Sequence, residues 1–165
     1  MTPGRVAREA PEPSQNLVGA MQTSMLAPAA ALVLWSLIIL QWLAISRFSA
    51  VAKAGIDLKA SPPGTRGQAL EGVLPDRVMW KSHNYSHLME QPTLFYPTVF
   101  IIAALGGSPL DIGLAWAYTA SRVLHSLWQV LVNTIPVRIA LFTCSTFILL
   151  ALAVRACLLA WGLSS

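Results

Sequence analysis

The chain has 165 residues, of which 55% are hydrophobic and only 11% charged, and its formal net charge is +4. Water-soluble domains carry about 25% charged residues, and a mean hydropathy of +0.60 is too high for one of them. This composition excludes a typical soluble enzyme and indicates an integral membrane protein. The small positive charge has an explanation in membrane topology, given below, so we predict no nucleic-acid partner.

Four apolar segments follow one another along the chain, at residues 25–45, 91–110, 112–135 and 139–163. Each has about the 20 residues that a helix needs to cross roughly 30 Å of hydrocarbon. The runs are continuous rather than alternating in polarity, which argues against the strands of a membrane barrel. They predict an all-α membrane protein, a four-transmembrane-helix bundle that forms one domain over residues 25–165.

Two polar segments flank the first span. Residues 1–24 contain three prolines and few large apolar groups, so we expect a mobile tail. Residues 46–90 form a loop, broken by the run Ser61-Pro62-Pro63-Gly64. Towards its end the pattern becomes helical, and two starts for the second span remain open. The helix begins either near Pro92, a favourable first-turn position, or near Val78 with a kink.

Basic residues predict how the bundle is oriented. The 46–90 loop holds six of them, at Arg47, Lys53, Lys59, Arg66, Arg77 and Lys81. The turn at 106–111 holds none. Because cytoplasmic loops of membrane proteins carry an excess of Lys and Arg, we expect the loop in the cytoplasm and both termini on the opposite side. Arg5 and Arg8 argue weakly against this orientation.

A polar stretch precedes the second span. In a helix, His83, His87 and Glu90 would follow at i, i+4 and i+7, with Asn84 close to the same stripe. Two histidines one turn apart and a carboxylate can chelate zinc or iron. His125 is the only other histidine, however, so no second pair exists and we predict no metal. The simpler interpretation of His83 and Asn84 is a polar turn at the level of the lipid headgroups.

Arg122 lies near the middle of the third span. An unpaired guanidinium at that depth costs at least about 2.5 kcal/mol, so the side chain requires an acidic partner. Asp111 lies at the far end of the span, whereas Glu90 immediately precedes the second span. We therefore predict an ion pair between Glu90 and Arg122 on neighbouring helices.

Polar residues continue along the third span. Arg122, His125, Gln129 and Asn133 are three, four and four residues apart, which places them on one helical face. Such a face must contact protein or a water-filled cleft. Two interpretations remain open: a binding site, or hydrogen bonds between helices, worth about 0.6 kcal/mol each, that only specify the bundle.

Arg138 follows Pro136 at the start of the fourth span. Proline favours the first turn of a helix, and a cation there adds to the positive end of the helix dipole. The position is therefore a candidate anion site. A positively charged anchor at the cytoplasmic membrane surface is the alternative.

Three motifs resemble those of one family. They are the run HNYSHLMEQPTLFY at 83–96, the run SRVLHS at 121–126 and the run PVR at 136–138. Over about residues 25–160 the chain is similar to the MAPEG family, the membrane-associated proteins in eicosanoid and glutathione metabolism, and especially to its bacterial members. The resemblance implies a homotrimer of four-helix subunits in the lipid bilayer. It also implies a bacterial inner membrane, with the endoplasmic reticulum as the alternative.

The same resemblance implies a set of site residues. Enzymes of the family bind glutathione between subunits from the cytoplasmic side, and the arginine matching Arg138 stabilises the thiolate. This gives Arg138 a catalytic role, with glutathione as co-substrate. The implied glutathione-binding residues are Glu90, Arg122, His87, Asn84 and Gln129.

The chain also departs from the family pattern. His87 stands where the family has asparagine, and Ser86 stands where an arginine often precedes it. Gln129 stands where some members have tyrosine. The loss of an arginine removes a clamp for a carboxylate.

Two functions are consistent with these residues. The first is a glutathione-dependent transferase or peroxidase that acts on lipophilic electrophiles at the cytoplasmic face. The second is a non-catalytic membrane protein whose polar residues within the membrane serve helix and trimer packing. Ion or proton transport is less well supported, because a relay needs more than one buried acid.

Overall fold

The computed structural model describes residues 13–163, with side chains from residue 19 onward. Within this range the secondary structure is helical and contains no strand. The main helices are α1 (Pro13–Lys53), α2 (Asp76–Leu88), α3 (Pro92–Leu105), α4 (Pro109–Leu131) and α5 (Ile135–Ala160). Because α2 and α3 follow each other with a short break, the five helices form four rods. The predicted all-α four-helix bundle is confirmed.

The rods have the length and polarity of membrane spans. Three stretches are long and apolar enough to cross a membrane: 19–53, 76–105 and 135–160. The 23 residues of α4 extend about 35 Å, but the polar face of this helix lowers its hydropathy. Large side chains such as Phe100 and Phe147 are exposed on the outside of the bundle, as contact with lipid requires. The chain is an integral membrane protein.

The first helix is longer than the predicted span 25–45. It begins at Pro13, so residues 13–24, which we expected in a mobile tail, are helical, and residues 1–12 lie outside the described part. At the other end, no glycine or proline occurs between residues 29 and 54. The helix therefore continues to Lys53 and stops before Gly55, whose φ of 64° only glycine adopts readily.

The predicted loop 46–90 is correspondingly shorter. Its first residues belong to α1 and its last third forms α2, which leaves 54–75 as the connection. This connection contains two short 3-10 helices, Leu58–Ala60 and Gly67–Leu70. It packs on the bundle through a small apolar cluster of Val51, Leu74 and Met79.

The two predicted starts of the second span are each partly correct. A helix starts near Val78, but it ends at Leu88, and α3 begins separately with Pro92 in its first turn. Proline lacks the N–H that would continue the hydrogen-bond ladder of α2. The carbonyl groups of His87 and Leu88 at the end of α2 receive no backbone hydrogen bond from the described residues, and this break lies beside the polar face of α4.

The far end of the bundle contains a partly buried ion pair that was not predicted from the sequence. Asp111 is fully buried in the first turn of α4, where it forms a capping box with Ser108. Arg155 donates from Nε to Oδ1 of Asp111 at 2.8 Å and from Nη2 to Oδ2 at 3.1 Å. The sequence contained a signal for this pair. Consecutive helices run antiparallel, so the start of α4 lies beside the end of α5, and Asp111 and Arg155 are the ionisable residues at those two ends.

Candidate functional site

Three helix segments meet at the opposite end of the bundle. They are the last turn of α2, the second half of α4 and the first turns of α5. Between them lies a cavity of about 410 Å³, which is within the range of small-molecule sites. It is lined by His87, His125 and Arg138 and by the apolar side chains of Ile135, Ile139 and Phe142.

Three rings form one wall of this cavity. The ring centroids of His87 and His125 are 5.8 Å apart. Phe142 lies edge-on to both, with centroid separations of 6.2 Å to His87 and 6.3 Å to His125. The wall therefore combines polar ring nitrogens with an aromatic surface, one ring from each of α2, α4 and α5.

Arg122 is buried beside this wall, with only 1% of its surface exposed. Its Nη2 donates a hydrogen bond of 2.7 Å to the carbonyl oxygen of His87, in the last turn of α2. The carbonyl end of a helix carries partial negative charge, so α2 itself serves as the partner of the guanidinium. Within the described residues, Nε and Nη1 of Arg122 have no hydrogen-bond partner.

The predicted ion pair between Glu90 and Arg122 is wrong. Among the described residues, no carboxylate forms an ion pair with Arg122; Glu90 Oε2 instead lies 3.1 Å from Nδ1 of His87. The reason is the break after α2, which turns Glu90 to the surface and leaves its side chain 62% exposed. The same break frees the carbonyl group that Arg122 uses.

Asn84 connects three helices. Its Nδ2 donates to Oγ of Ser126 at 2.7 Å, and the same oxygen accepts a 3.0 Å hydrogen bond from Nε1 of Trp35. Asn84 is completely buried, and its Oδ1 has no partner in the described part of the chain. It thus links α2 to α4 and shares its acceptor with α1.

His125 and Gln129 lie one turn apart on the same face of α4. His125 is 2% exposed and Gln129 is fully buried. Neither the ring nitrogens nor the amide atoms have a hydrogen-bond partner among residues 19–163. Buried polar groups are nearly always hydrogen-bonded. These atoms therefore pair either with each other, since His125 and Gln129 are close enough to do so, or with a ligand, ordered water or a neighbouring subunit.

Arg138 stands at the cavity in the first turn of α5. Its Nη1 donates to Oδ1 of Asn133 at 3.0 Å, while Nε is buried and has no partner among the described side chains. The N-cap residue of α5, Thr134, makes no side-chain capping bond. Free N–H groups and a fixed cation at one helix start make an anion-binding arrangement.

His83 does not join the cluster. Its Nε2 lies 2.7 Å from Oε1 of Glu71 on the exposed side of α2, and this hydrogen bond anchors the 54–75 connection. Of the predicted stripe, His87 and Glu90 are therefore in contact with each other, while His83 points away from them. In the described residues, no group of three or more His, Cys, Asp or Glu side chains has a metal-binding arrangement.

The six predicted site residues have different positions. His87 and Arg138 line the cavity, Arg122 contacts the backbone of His87, and Glu90 lies beside the ring of His87 at the surface. Asn84 and Gln129 are buried in the adjoining helix contacts.

Part of the cavity lining was not predicted from the sequence. His125 was on the predicted polar stripe but was not included among the site residues, although its spacing from Arg122 was the available signal. Phe142 and Ile139 gave no signal, since nearly every residue of that span is apolar.

Comparison with known proteins agrees with this architecture. The model of the MAPEG family matches residues 25–158, a stretch that contains all of α2 to α4 and most of α1 and α5. No curated protein and no solved structure matches the chain. Since the matched stretch covers most of the sequence and the fold is a four-helix membrane bundle, the chain belongs to the MAPEG family.

Proposed function

We propose that the protein is a glutathione-dependent transferase or peroxidase that acts on lipophilic electrophiles at the cytoplasmic face of the membrane. One observation carries the proposal: the cavity combines a cation in the first turn of a helix, Arg138, with an apolar wall that includes Ile139 and Phe142. A thiolate and an apolar electrophile require these two environments side by side.

The unpartnered polar groups fit the chemistry of glutathione. This tripeptide carries two carboxylates, an ammonium group and a thiol. Arg122 and Arg138 both have buried N–H groups without a protein partner among the described residues, and these donors suit carboxylate or thiolate. Glu90 is the exposed acid at the edge of the cluster and suits the ammonium group.

Arg138 would supply the activation of the thiol. A nearby guanidinium and a helix N-terminus both favour the thiolate over the thiol. In conjugation, the sulfur forms a bond to an electrophilic carbon, and the leaving group departs with the bonding electrons. In peroxide reduction, the thiolate attacks the terminal oxygen of the hydroperoxide, which gives an alcohol and a sulfenic acid. A second glutathione converts the sulfenic acid to the disulfide and water.

The electrophile would arrive from the bilayer. Ile135 and Ile139 line the cavity and are 66% and 60% exposed. Such exposed apolar side chains on a membrane helix suit contact with lipid, and they give an apolar molecule a continuous path to the sulfur.

The departures from the family pattern are consistent with a changed carboxylate clamp. Ser86 is exposed, and its Oγ donates to the carbonyl of Ser82 in its own helix, so it supplies no cation. The clamp would then depend on Arg122 and Arg138.

We further propose a homotrimer in a bacterial inner membrane, with the 54–75 connection in the cytoplasm. Family membership supports the trimer. Glutathione is a cytoplasmic thiol, and the cavity lies at the same end of the bundle as the six Lys and Arg residues of the 46–90 segment. The positive-inside rule and the proposed co-substrate thus require the same orientation.

Binding of glutathione to the purified, detergent-solubilised protein tests the proposal. We expect calorimetry to give measurable binding to the native protein and at least roughly tenfold weaker binding to Arg138→Ala, because a charged hydrogen bond is lost. The matched control is Arg77→Ala, an exposed arginine that should leave binding unchanged. No binding by the native protein at millimolar glutathione would contradict the proposal.

A second candidate function has its own support. The hydrogen bonds that Ser126 accepts from Asn84 and Trp35 hold three helices together, as expected of a non-catalytic member whose polar residues serve packing. In that case Arg138→Ala would lower the melting temperature, and glutathione would neither bind nor stabilise the native protein.

A further inference from the structure

Asn133 has an unusual backbone conformation. It directly follows the C-cap residue of α4 and has a φ of 60°, the only positive φ of a non-glycine residue in the described chain. Its N–H donates to the carbonyl of Trp128 at 2.8 Å, which closes the end of the helix. Glycine is the usual residue at such a position, and asparagine is the common exception. The turn alone therefore does not explain why a side chain is present.

The side chain of Asn133 contacts the cavity cation. Its Oδ1 accepts the 3.0 Å hydrogen bond from Nη1 of Arg138, the only side-chain hydrogen bond that Arg138 makes within the described residues. The turn around it is itself fixed. Nε1 of Trp128 donates to Oγ1 of Thr134 at 3.0 Å, and the backbone N–H of Arg138 donates to the carbonyl of Thr134 at 3.2 Å. Asn133 thus links a rigid turn to the end of a long, flexible side chain.

We infer that Asn133 is a positioning residue for Arg138: it holds Nη1 and leaves Nε and Nη2 free for the sulfur or a carboxylate of the ligand. The ligand part of this inference rests on the proposed function. The buried, unpartnered Nε of Arg138 is consistent with it.

The chemistry of the position selects asparagine. Glycine would adopt the backbone conformation but offers no acceptor for Arg138. Aspartate tolerates the conformation and offers an acceptor, but its negative charge would neutralise the guanidinium that a thiolate requires. A neutral acceptor that tolerates a positive φ meets both requirements.

Two substitutions distinguish the loss of the hydrogen bond to Arg138 from a change of charge beside it. Asn133→Gly keeps the turn and releases Arg138, whereas Asn133→Asp keeps Arg138 in place. In detergent-solubilised protein without glutathione, we expect Asn133→Gly to raise the rate of phenylglyoxal labelling of Arg138 roughly fivefold, the effect of losing one hydrogen bond. In the Asn133→Asp variant, Arg138 should be labelled at the rate of the native protein. Peptide mass spectrometry measures the labelling, with the exposed Arg77 as internal reference.

The control variant is Thr134→Val. It removes the hydrogen bond to Trp128 in the same turn but leaves the acceptor of Arg138 intact, so labelling should stay at the native rate. Equal labelling of Arg138 in the native protein and in Asn133→Gly would overturn the inference. So would an equal increase in Thr134→Val, which would assign the effect to the turn.

The ligand-dependent measurement is the pH profile of the bound thiol, followed by thiolate absorbance. Both Asn133→Gly and Asn133→Asp should move the profile to higher pH, and Asn133→Gly should add nothing in the Arg138→Ala background. An additive effect in that background would contradict positioning. If the native protein binds no glutathione, the proposed function fails, but the labelling measurement still decides whether Asn133 holds Arg138.

Discussion

At the scale of single residues, one hydroxyl group joins three helices. Oγ of Ser126 accepts hydrogen bonds from Asn84 on α2 and from Trp35 on α1. Ser121 on the same helix is also buried, but its Oγ donates only to the carbonyl of Tyr118 in its own helix. The two serines therefore have similar burial and different consequences for the bundle.

We expect Ser126→Ala to destabilise the protein by about 2 kcal/mol, because the substitution leaves two donors without an acceptor. The melting temperature of the detergent-solubilised protein should fall by several degrees. Ser121→Ala is the matched control and should change the free energy of unfolding by less than about 1 kcal/mol. Equal effects of the two substitutions would show that Ser126 does not act as a link between helices.

Arg122 shows what residue types can and cannot predict. Its depth in the membrane predicted a partner, and this prediction is confirmed. Acidic residues are the partners that can be read directly from a sequence. The partner is the carbonyl of His87, however, and this group becomes available only because α2 ends there. A free backbone carbonyl is a consequence of helix boundaries, so a search of the sequence for acids selected Glu90.

At the scale of the helices, α4 and α5 are fastened at both ends by polar contacts. Asp111 and Arg155 join them at the far end, and Asn133 holds Arg138 at the cavity end. Hydropathy predicted the spans 112–135 and 139–163 to within a few residues. Their ends are determined by local interactions, such as the capping box of Ser108 with Asp111, which hydropathy does not register.

We expect Asp111→Ala to destabilise the protein by about 2 kcal/mol, because it removes the capping carboxylate from the start of α4 and leaves Arg155 without its partner. In a double-mutant cycle, Arg155→Ala should have a smaller effect in the Asp111→Ala background than in the native protein. Thermal unfolding in detergent measures both.

The control for the Asp111–Arg155 pair is an exposed contact between two side chains. Glu71→Ala removes the hydrogen bond between Glu71 and His83, whose side chains are both about half exposed, and should change the free energy of unfolding by at most about 1 kcal/mol. Glutathione binding should be unaffected by Arg155→Ala, since the pair lies at the opposite end of the bundle from the cavity. A loss of binding without a loss of stability would contradict this separation.

At the scale of the whole molecule, the bundle has two unlike ends. One end carries the connection 54–75, the cavity and the six Lys and Arg residues of the 46–90 segment, while the other carries the Gly106–Ser108 turn and the internally paired Arg155. The fold and the end at which the site lies were predictable, because hydropathy and the spacing of polar residues are properties of sequence. The apolar wall of the cavity could not be predicted. Ile139 and Phe142 are of the same residue types as the side chains of α5 that face lipid, and only the packing of the helices distinguishes them.

The asymmetry predicts how the protein is oriented in its membrane, and the prediction can be tested in the proposed bacterial inner membrane. Cysteines introduced at Ala69 and at Leu163, both exposed, would report on opposite ends of the bundle, in a background with Cys144→Ala and Cys157→Ala. A membrane-impermeant maleimide should label Ala69→Cys in inverted vesicles but not in spheroplasts. Because α5 ends on the opposite side, Leu163→Cys should show the reverse pattern.

The two positions control for each other. In damaged vesicles the maleimide would label both cysteines, and in a misfolded protein the two cysteines would no longer be labelled from opposite sides. The expected pattern puts the cavity on the side where glutathione is available and where basic residues are retained. The reversed pattern would contradict the cytoplasmic site, and with it the proposed use of a cytoplasmic thiol, while leaving the four-helix fold and the family membership intact.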